Sequence, residues 1–137
     1  PMVHPTQPGA AGALVSTARD MARWLAALDS GKLLPKAAWE RAFAPVRLAD
    51  GKTAEYGFGW QVDRINGRTR IAHGGGIPGF STWDMRVPDA RLSLVVLTNH
   101  DSGDAGAIGQ RVAAAVVPAL APRPQPTVAD PEPALTA

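Results

Sequence analysis

The first third of the chain carries apolar residues at helical spacing. Thr17 and Asp20 stand three residues apart, a pairing typical of a helix N-terminus where side chains satisfy free backbone N–H groups. Gly31 is typical of a helix end, and residues 34–43 predict a second, shorter helix that Pro45 stops. The apolar face of the first helix is formed by Met21, Trp24, Leu25 and Leu28.

Alternation of apolar and polar residues in the middle of the chain predicts strands. The predicted strands cover residues 56–64, 68–73, 79–87 and 92–99. Asn66-Gly67 is a strong signal for a two-residue hairpin, so the first two strands should be antiparallel neighbours. The fourth run is almost entirely apolar, which predicts a strand buried on both faces.

Residues 104–117 predict a last helix, which Pro118 ends. We expect its larger apolar side chains to face inward: Ile108, Val112, Ala115 and Val116. Residues 119–137 are rich in proline and should be an extended or disordered tail, so the domain portion should cover residues 1–118. The order of elements predicts an α+β fold, an antiparallel sheet flanked by helices.

Composition narrows the function classes. The net charge is +2 without a concentrated basic patch, which disfavours a nucleic-acid partner. There is no cysteine, hence no disulfide or thiolate chemistry. No apolar run reaches the length of about 20 residues that a membrane span needs. The chain begins at Pro1 without a signal-like segment, and we expect its beginning to lie elsewhere.

Candidate chemistry concentrates in the run His73-Gly74-Gly75-Gly76. A predicted strand precedes it and another follows it, so we expect the glycines to connect two strands. A phosphate-binding loop would instead lead from its glycines into a helix N-terminus, and the sequence excludes that class. Glycine also lets a ligand or another chain approach the backbone closely.

Four segments together resemble the C-terminal half of serine β-lactamase-related proteins. These include class C β-lactamases, D-alanyl-D-alanine carboxypeptidases and β-lactamase-like esterases. The segments are residues 12–25, 56–60, 73–80 and 94–99, in matching order and spacing. The resemblance covers about residues 10–118. It implies the C-terminal part of a β-lactamase/transpeptidase-like fold, with acyl-transfer chemistry and no metal or cofactor. It also implies a periplasmic or secreted location, while a cytoplasmic one stays open.

The resemblance assigns roles to residues of the glycine run. His73-Gly74-Gly75 matches the family's third motif, in which the first side chain faces the substrate. It implies that the backbone N–H of Gly76 stabilises the oxyanion of the tetrahedral intermediate. Gly74 and Gly75 would keep clear the strand edge along which substrate lies. Apart from the resemblance, most aromatic side chains should lie in the core, whereas Tyr56 and Trp83 are candidates to border a substrate cleft near the glycine run.

Two other family motifs are missing from the 137 residues. No Ser-x-x-Lys exists; the nearest match begins at Ser16 and ends in Arg19, whose guanidinium cannot act as a base. No Tyr-x-Asn exists either, since the sole tyrosine, Tyr56, precedes Gly-Phe. We therefore expect the C-terminal part of a hydrolase of amide or ester bonds, inactive alone, whose partners are a small or peptide substrate and the N-terminal half.

Three alternatives stay open at this point. The His-Gly-Gly-Gly run is also an oxyanion-loop motif of α/β-hydrolase esterases, but Ser81 lies in an incomplete Gly-x-Ser-x-Gly. A metal site would need ligands from separate strands without supporting spacing: His73, Asp84, His100 and Asp101. Finally, a non-catalytic module could associate with another chain, or with itself, through exposed apolar surface and an unpaired strand edge.

Overall fold

Four strands that follow one another along the chain form an antiparallel sheet. In the computed structural model, which describes residues 9–100 and 102–123, the strands are β1 (Gln61–Ile65), β2 (Arg68–Ile77), β3 (Phe80–Val87) and β4 (Leu92–Thr98). Their order in the sheet equals their order in the chain. The predicted antiparallel sheet is confirmed. Predictions for residues 1–8, Asp101 and residues 124–137 lie outside the described residues.

Short turns fix the register of the sheet. Asn66 and Gly67 both have positive φ, 51° and 84°, as a tight hairpin turn requires, and Ile65 pairs with Arg68. Pro78-Gly79 forms the next two-residue turn, with Gly79 at φ 90°. The Asn-Gly hairpin predicted from the sequence is therefore confirmed.

The glycine run belongs to β2, so the prediction of a glycine connection between strands is wrong. Gly74 pairs with Trp83 and Gly75 with Thr82 in a register that continues to Ile77. A Cβ atom on Gly74 would lie 2.8 Å from Cε3 of the Trp83 indole. Glycine at this position is therefore required by the packing of a large aromatic side chain, not by a turn.

The first predicted strand is shorter than expected. Residues 56–60 form a tight turn, in which the Gly57 N–H donates to the carbonyl of Trp60 at 2.7 Å and Gly59 has φ 77°. Tyr56 consequently pairs with Gln61, at the start of β1. The single strand predicted over residues 56–64 is wrong, because the glycines allow the chain to reverse within it.

Three α-helices flank the sheet: α1 (Ala18–Asp29), α2 (Lys36–Ala42) and α3 (Ala105–Val116). The predicted N-cap at Thr17 is confirmed, since its hydroxyl accepts a hydrogen bond from the Asp20 N–H at 3.1 Å, while the Asp20 carboxylate accepts from the Thr17 hydroxyl at 3.0 Å instead of from a backbone N–H. Asp104 caps α3 in the same way, accepting from the N–H of Ala107. Of the described helices, none has both the length and the apolar composition that crossing a membrane requires.

The helices α1 and α3 cover opposite faces of the sheet. Arg86 and Ser93 contact Asp29 at the end of α1, which defines the α1 face. Their strand neighbours point the other way and form the core with α3. The buried core cluster consists of Ala72, Met85, Val87, Ala113 and Leu120.

The inward face of α3 is formed by its small residues, not by the large ones that the sequence predicted. Ala105, Gly109 and Ala113 are buried, whereas the predicted inward residues Ile108 and Val112 are 42% and 45% exposed. A Cβ atom on Gly109 would lie 2.9 Å from the Trp83 ring. Only small residues let α3 approach the sheet beside that indole.

Two further expectations meet different outcomes. The prediction that β4 is buried on both faces is wrong, because no residue of β4 is fully buried and Leu97 is 40% exposed. Beyond Pro118 the chain still packs on the core: Leu120 is fully buried, and the Asn66 side-chain amide donates to the carbonyl of Ala119. The domain limit at residue 118 stays a prediction.

Candidate functional site

The site lies where β2 loses one of its two neighbours. Pairing of β2 with β1 ends at Ala72, opposite Gln61, whereas pairing with β3 continues to Ile77. From His73 onward, one edge of β2 therefore has no partner strand among the described residues. A chain or substrate could pair with that edge by backbone hydrogen bonds.

The amide of Gly76 points to this open edge. Residues that flank a two-residue turn form a hydrogen-bonded pair, as Ile77 does with Phe80. Backbone groups along a strand alternate between its two neighbours, so those of Gly75 and His73 also face β3. Those of Gly74 and Gly76 consequently face the open edge. This is the direction in which an oxyanion donor would have to act.

Packing does not demand glycine at position 76. A Cβ atom there would meet only the carbonyl oxygen of Phe80, at 3.8 Å, which is an ordinary contact. At Gly75 the nearest atom would be the Thr82 hydroxyl oxygen at 3.2 Å. The predicted edge residues Gly74 and Gly75 thus have packing reasons for lacking a side chain, whereas Gly76 leaves space above the open edge.

Tyr56 lies directly against His73. Its hydroxyl is 2.8 Å from the His73 Nε2 atom, and the two rings meet edge to face with centroids 5.9 Å apart. Tyr56 is held there by its backbone, whose carbonyl accepts from the Val46 N–H at 2.9 Å. The structure therefore brings Tyr56 together with His73, whereas Trp83, the other aromatic residue predicted to border the cleft, packs on the opposite face against Gly74 and Gly109.

Asp84 faces His73 across the strand pair. The two residues are directly opposite in β2 and β3, so their side chains share the α1 face. One carboxylate oxygen of Asp84 is buried and has no hydrogen-bond partner among the described residues. Burial raises the pKa of Asp84 to about 6, and the nearby charges of His73 and Arg86 act in the opposite direction.

Arg86 occupies the inner end of the same face. It is 4% exposed, forms an ion pair with Asp29 of α1 and lies over the Phe43 ring, 5.3 Å from its centroid. Two of its nitrogen atoms, Nε and Nη1, have no partner among the described residues. The guanidinium thus ties both N-terminal helices to the sheet behind the site.

Sequence reasoning considered Asp84 only as a metal ligand. The signal that would have placed it is the Pro78-Gly79 turn, because a two-residue turn with Ile77 opposite Phe80 also sets His73 opposite Asp84. Within the described part of the chain, no group of three or more potential ligands is close enough to hold a metal ion.

The two serines considered as nucleophiles differ in position. Ser81 pairs with Gly76 across the strands, so its side chain lies on the face opposite to His73. Ser16 is exposed just before α1. The described structure does not join Ser81 to His73.

Comparison with known proteins gives a consistent picture. The family model described as Beta-lactamase matches residues 1–117. The chain is similar to penicillin-binding protein 4* of Bacillus subtilis, at 41% identity over 91 residues, covering 66% of the chain and 20% of that protein. It is also similar to a D-aminopeptidase of Gluconobacter oxydans, at 37% identity over 97 residues, covering 71% of the chain and 18% of that protein.

A solved structure supports the same likeness. The crystal structure of a penicillin binding protein from Bacillus halodurans superposes with a TM-score of 0.58 at 26% identity, covering 70% of the chain and 30% of that protein. The chain therefore spans a fifth or less of the length of the sequence relatives named above, and under a third of the solved one. The family match also overturns the α/β-hydrolase alternative.

Proposed function

Because the chain belongs to the beta-lactamase family, we propose that it supplies the His73–Gly76 strand of a serine hydrolase that cleaves amide or ester bonds through an acyl-enzyme. One observation carries the proposal: the Gly76 amide faces an open strand edge, three residues from an imidazole on the same strand. An oxyanion donor must point at the position where negative charge develops, and an unpaired strand edge offers such a donor.

In this proposal a serine hydroxyl attacks the substrate carbonyl and gives its proton to a base. Negative charge develops on the carbonyl oxygen, where the Gly76 N–H donates a hydrogen bond. The amine or alcohol leaves with a proton, and water then hydrolyses the acyl-enzyme to release free serine. His73 faces the substrate from the same strand and contributes a hydrogen bond or charge.

The nucleophile in this proposal lies outside the 137 residues. The chain contains neither Ser-x-x-Lys nor Tyr-x-Asn. The relatives are about five times longer than the part that the chain matches. The names of the relatives suggest peptides with D-residues or penicillins as substrates, and our proposal is limited to the shared chemistry of an amide or ester carbonyl.

A chimera tests the proposed role of Gly76. The matching segment of the Bacillus subtilis penicillin-binding protein 4* would be replaced by this chain, and hydrolysis of chromogenic D-amino-acid amides and esters would be measured. Gly76→Pro removes the amide hydrogen on the open edge, where proline does not break the β2–β3 ladder. We expect kcat to fall about 100-fold or more, the usual loss on removal of one oxyanion donor.

Gly76→Ala is the matched control, because it adds a Cβ atom in available space and keeps the N–H. Equal rates in the Pro and Ala variants would refute the role of the amide. His73→Ala should also lower kcat substantially. For the chain alone, mass spectrometry after incubation with a β-lactam or a fluorophosphonate should find no adduct; an adduct would locate the nucleophile within these residues, with Ser16 and Ser81 examined first.

A second candidate is a non-catalytic module that associates through its uncovered surfaces. The outward face of α3 favours it, since Ile108, Val112 and Val116 are 42%, 45% and 64% exposed. Exposed apolar surface of this kind marks a contact with another chain or another part of the same protein. The partner would be the N-terminal half of the hydrolase or a second copy of the chain.

A further inference from the structure

The hydroxyl of Tyr56 is engaged with the imidazole of His73. We propose that Tyr56 and Asp84 are positioning residues for His73. Tyr56 holds the imidazole ring at Nε2, and the Asp84 carboxylate faces the ring across the strand pair and attracts it when it carries a positive charge. The inference takes the role of His73 in catalysis from the proposed function. The contacts themselves can be measured without any substrate.

Tyr56 is built into a rigid support for this purpose. Its backbone pairs with Gln61, its carbonyl accepts from Val46, and the turn behind it is closed by the Gly57-to-Trp60 hydrogen bond of 2.7 Å. A phenol on such a support directs its hydroxyl at one point. That point is His73 Nε2 at 2.8 Å, so the hydroxyl orients the imidazole rather than the substrate.

Asp84 acts on His73 by charge. Among the described residues, the charged and titratable groups that share this face with His73 are Tyr56, Asp84 and Arg86, with Asp29 from α1 and, farther along the sheet, Arg64 of β1. Arg86 has its own carboxylate partner in Asp29 but also lies near Asp84, so the Asp84 charge acts on both Arg86 and the imidazolium directly opposite. The buried, unpartnered oxygen of Asp84 is consistent with a group that acts at a distance instead of through a direct hydrogen bond.

Tyr56 is the sole tyrosine of the chain, which allows a direct test. Tyrosine labelled with carbon-13 at Cζ gives a single NMR resonance from the 137-residue chain. Ionisation of His73 turns Nε2 into an obligatory donor, which changes the hydrogen bond at the phenol oxygen. We expect the Tyr56 resonance to shift in one step as His73 ionises, and the step to vanish in His73→Gln.

The same resonance reports on Asp84. In Asp84→Asn the step should occur at lower pH than in the unmodified chain, because the imidazolium loses a facing carboxylate. Asp89→Asn removes an exposed carboxylate in the turn after β3 and should leave the midpoint in place. Asp84→Ser repeats the measurement with another uncharged side chain if the Asn variant unfolds.

Each outcome decides part of the inference. A flat Tyr56 profile in the unmodified chain, or an unchanged step in His73→Gln, overturns the positioning role of Tyr56. An unchanged midpoint in the Asp84 variants overturns the role of Asp84. If the chimera is inactive but the 137-residue chain shows the expected NMR steps, the result counts against the proposed function alone. If the chimera is active but the Tyr56 profile of the chain is flat, the result counts against this inference alone.

Discussion

Asp84 should make the folded chain less stable as pH rises, the opposite of most carboxylates. Burial raises its pKa to about 6, so the folded state binds a proton more tightly than the unfolded state does. Stability contributed by this group is fully present below about pH 4, where the carboxyl is protonated in both states. It is lost between about pH 4 and pH 6, because ionisation is opposed only in the folded state.

The magnitude follows from the two pKa values. An ordinary aspartate has a pKa of about 3.9, and each pKa unit corresponds to 1.36 kcal/mol, so a folded-state value of about 6 sets an upper limit of about 3 kcal/mol. Asp84 is only partly buried, and solvent screening reduces the effect. We expect Asp84→Asn to be more stable than the unmodified chain by about 1–2 kcal/mol at pH 7 and equally stable at pH 3.5.

Urea unfolding followed by tryptophan fluorescence at pH 3.5, 5, 6 and 7 measures this difference. The comparison of the two chains at each pH isolates Asp84 from the other titrating groups. Asp89→Asn serves as the control and should follow the unmodified chain, since its carboxylate is exposed. A variant that is less stable at pH 7, or a difference that does not change with pH, would refute the reasoning.

Three further predictions concern packing and association. Gly109→Ala places a Cβ atom 2.9 Å from the Trp83 ring, whereas in the control Gly106→Ala the Cβ meets its nearest atom at 3.3 Å. The first variant should therefore lower the free energy of unfolding by about 1–3 kcal/mol more than the second. Equal melting temperatures of the two variants in circular dichroism would contradict this. Val112→Asp should weaken association of the chain in analytical ultracentrifugation without lowering its melting temperature, because the side chain faces outward. Asp29→Ala should lower the free energy of unfolding by about 1–3 kcal/mol, since a buried guanidinium loses its carboxylate; a neutral effect in urea unfolding would show that solvent screens this half-exposed pair.

Local backbone conformation could be predicted from the sequence where one short motif determines it. Asn66-Gly67 allows positive φ at both turn positions, and the hairpin follows. Thr17 supplies a hydroxyl at the point where a helix leaves its first N–H groups free. Neither outcome depends on residues distant in the sequence, which is why the pattern alone sufficed.

Elements whose form depends on long-range packing were predicted wrongly. The glycines of β2 have low strand propensity, yet Gly74 lies in a strand because the Trp83 ring needs the space above it. The same ring selects Gly109 for the inner face of α3, against the expectation that the larger apolar residues turn inward. One partly buried tryptophan that packs against the core thus overrides two local preferences, and no local pattern reveals where its ring lies.

The directions of His73 and Gly76 in the candidate site follow from the alternation of residues along the single strand β2. Side chains and backbone amides alternate in direction along β2. His73 directs its side chain to the α1 face, and Gly76, three residues later, directs its amide to the edge that β1 leaves open. A side chain on the α1 face and an amide at the open edge must come from residues that are an odd number of positions apart in the strand. Apart from direct neighbours, three positions is therefore the shortest spacing that provides both. The core cluster lies on the other face of the sheet from His73 and Asp84. Retention of Asp84 at a cost in stability is reasonable in this arrangement, because its charge lies opposite the one imidazole on the strand.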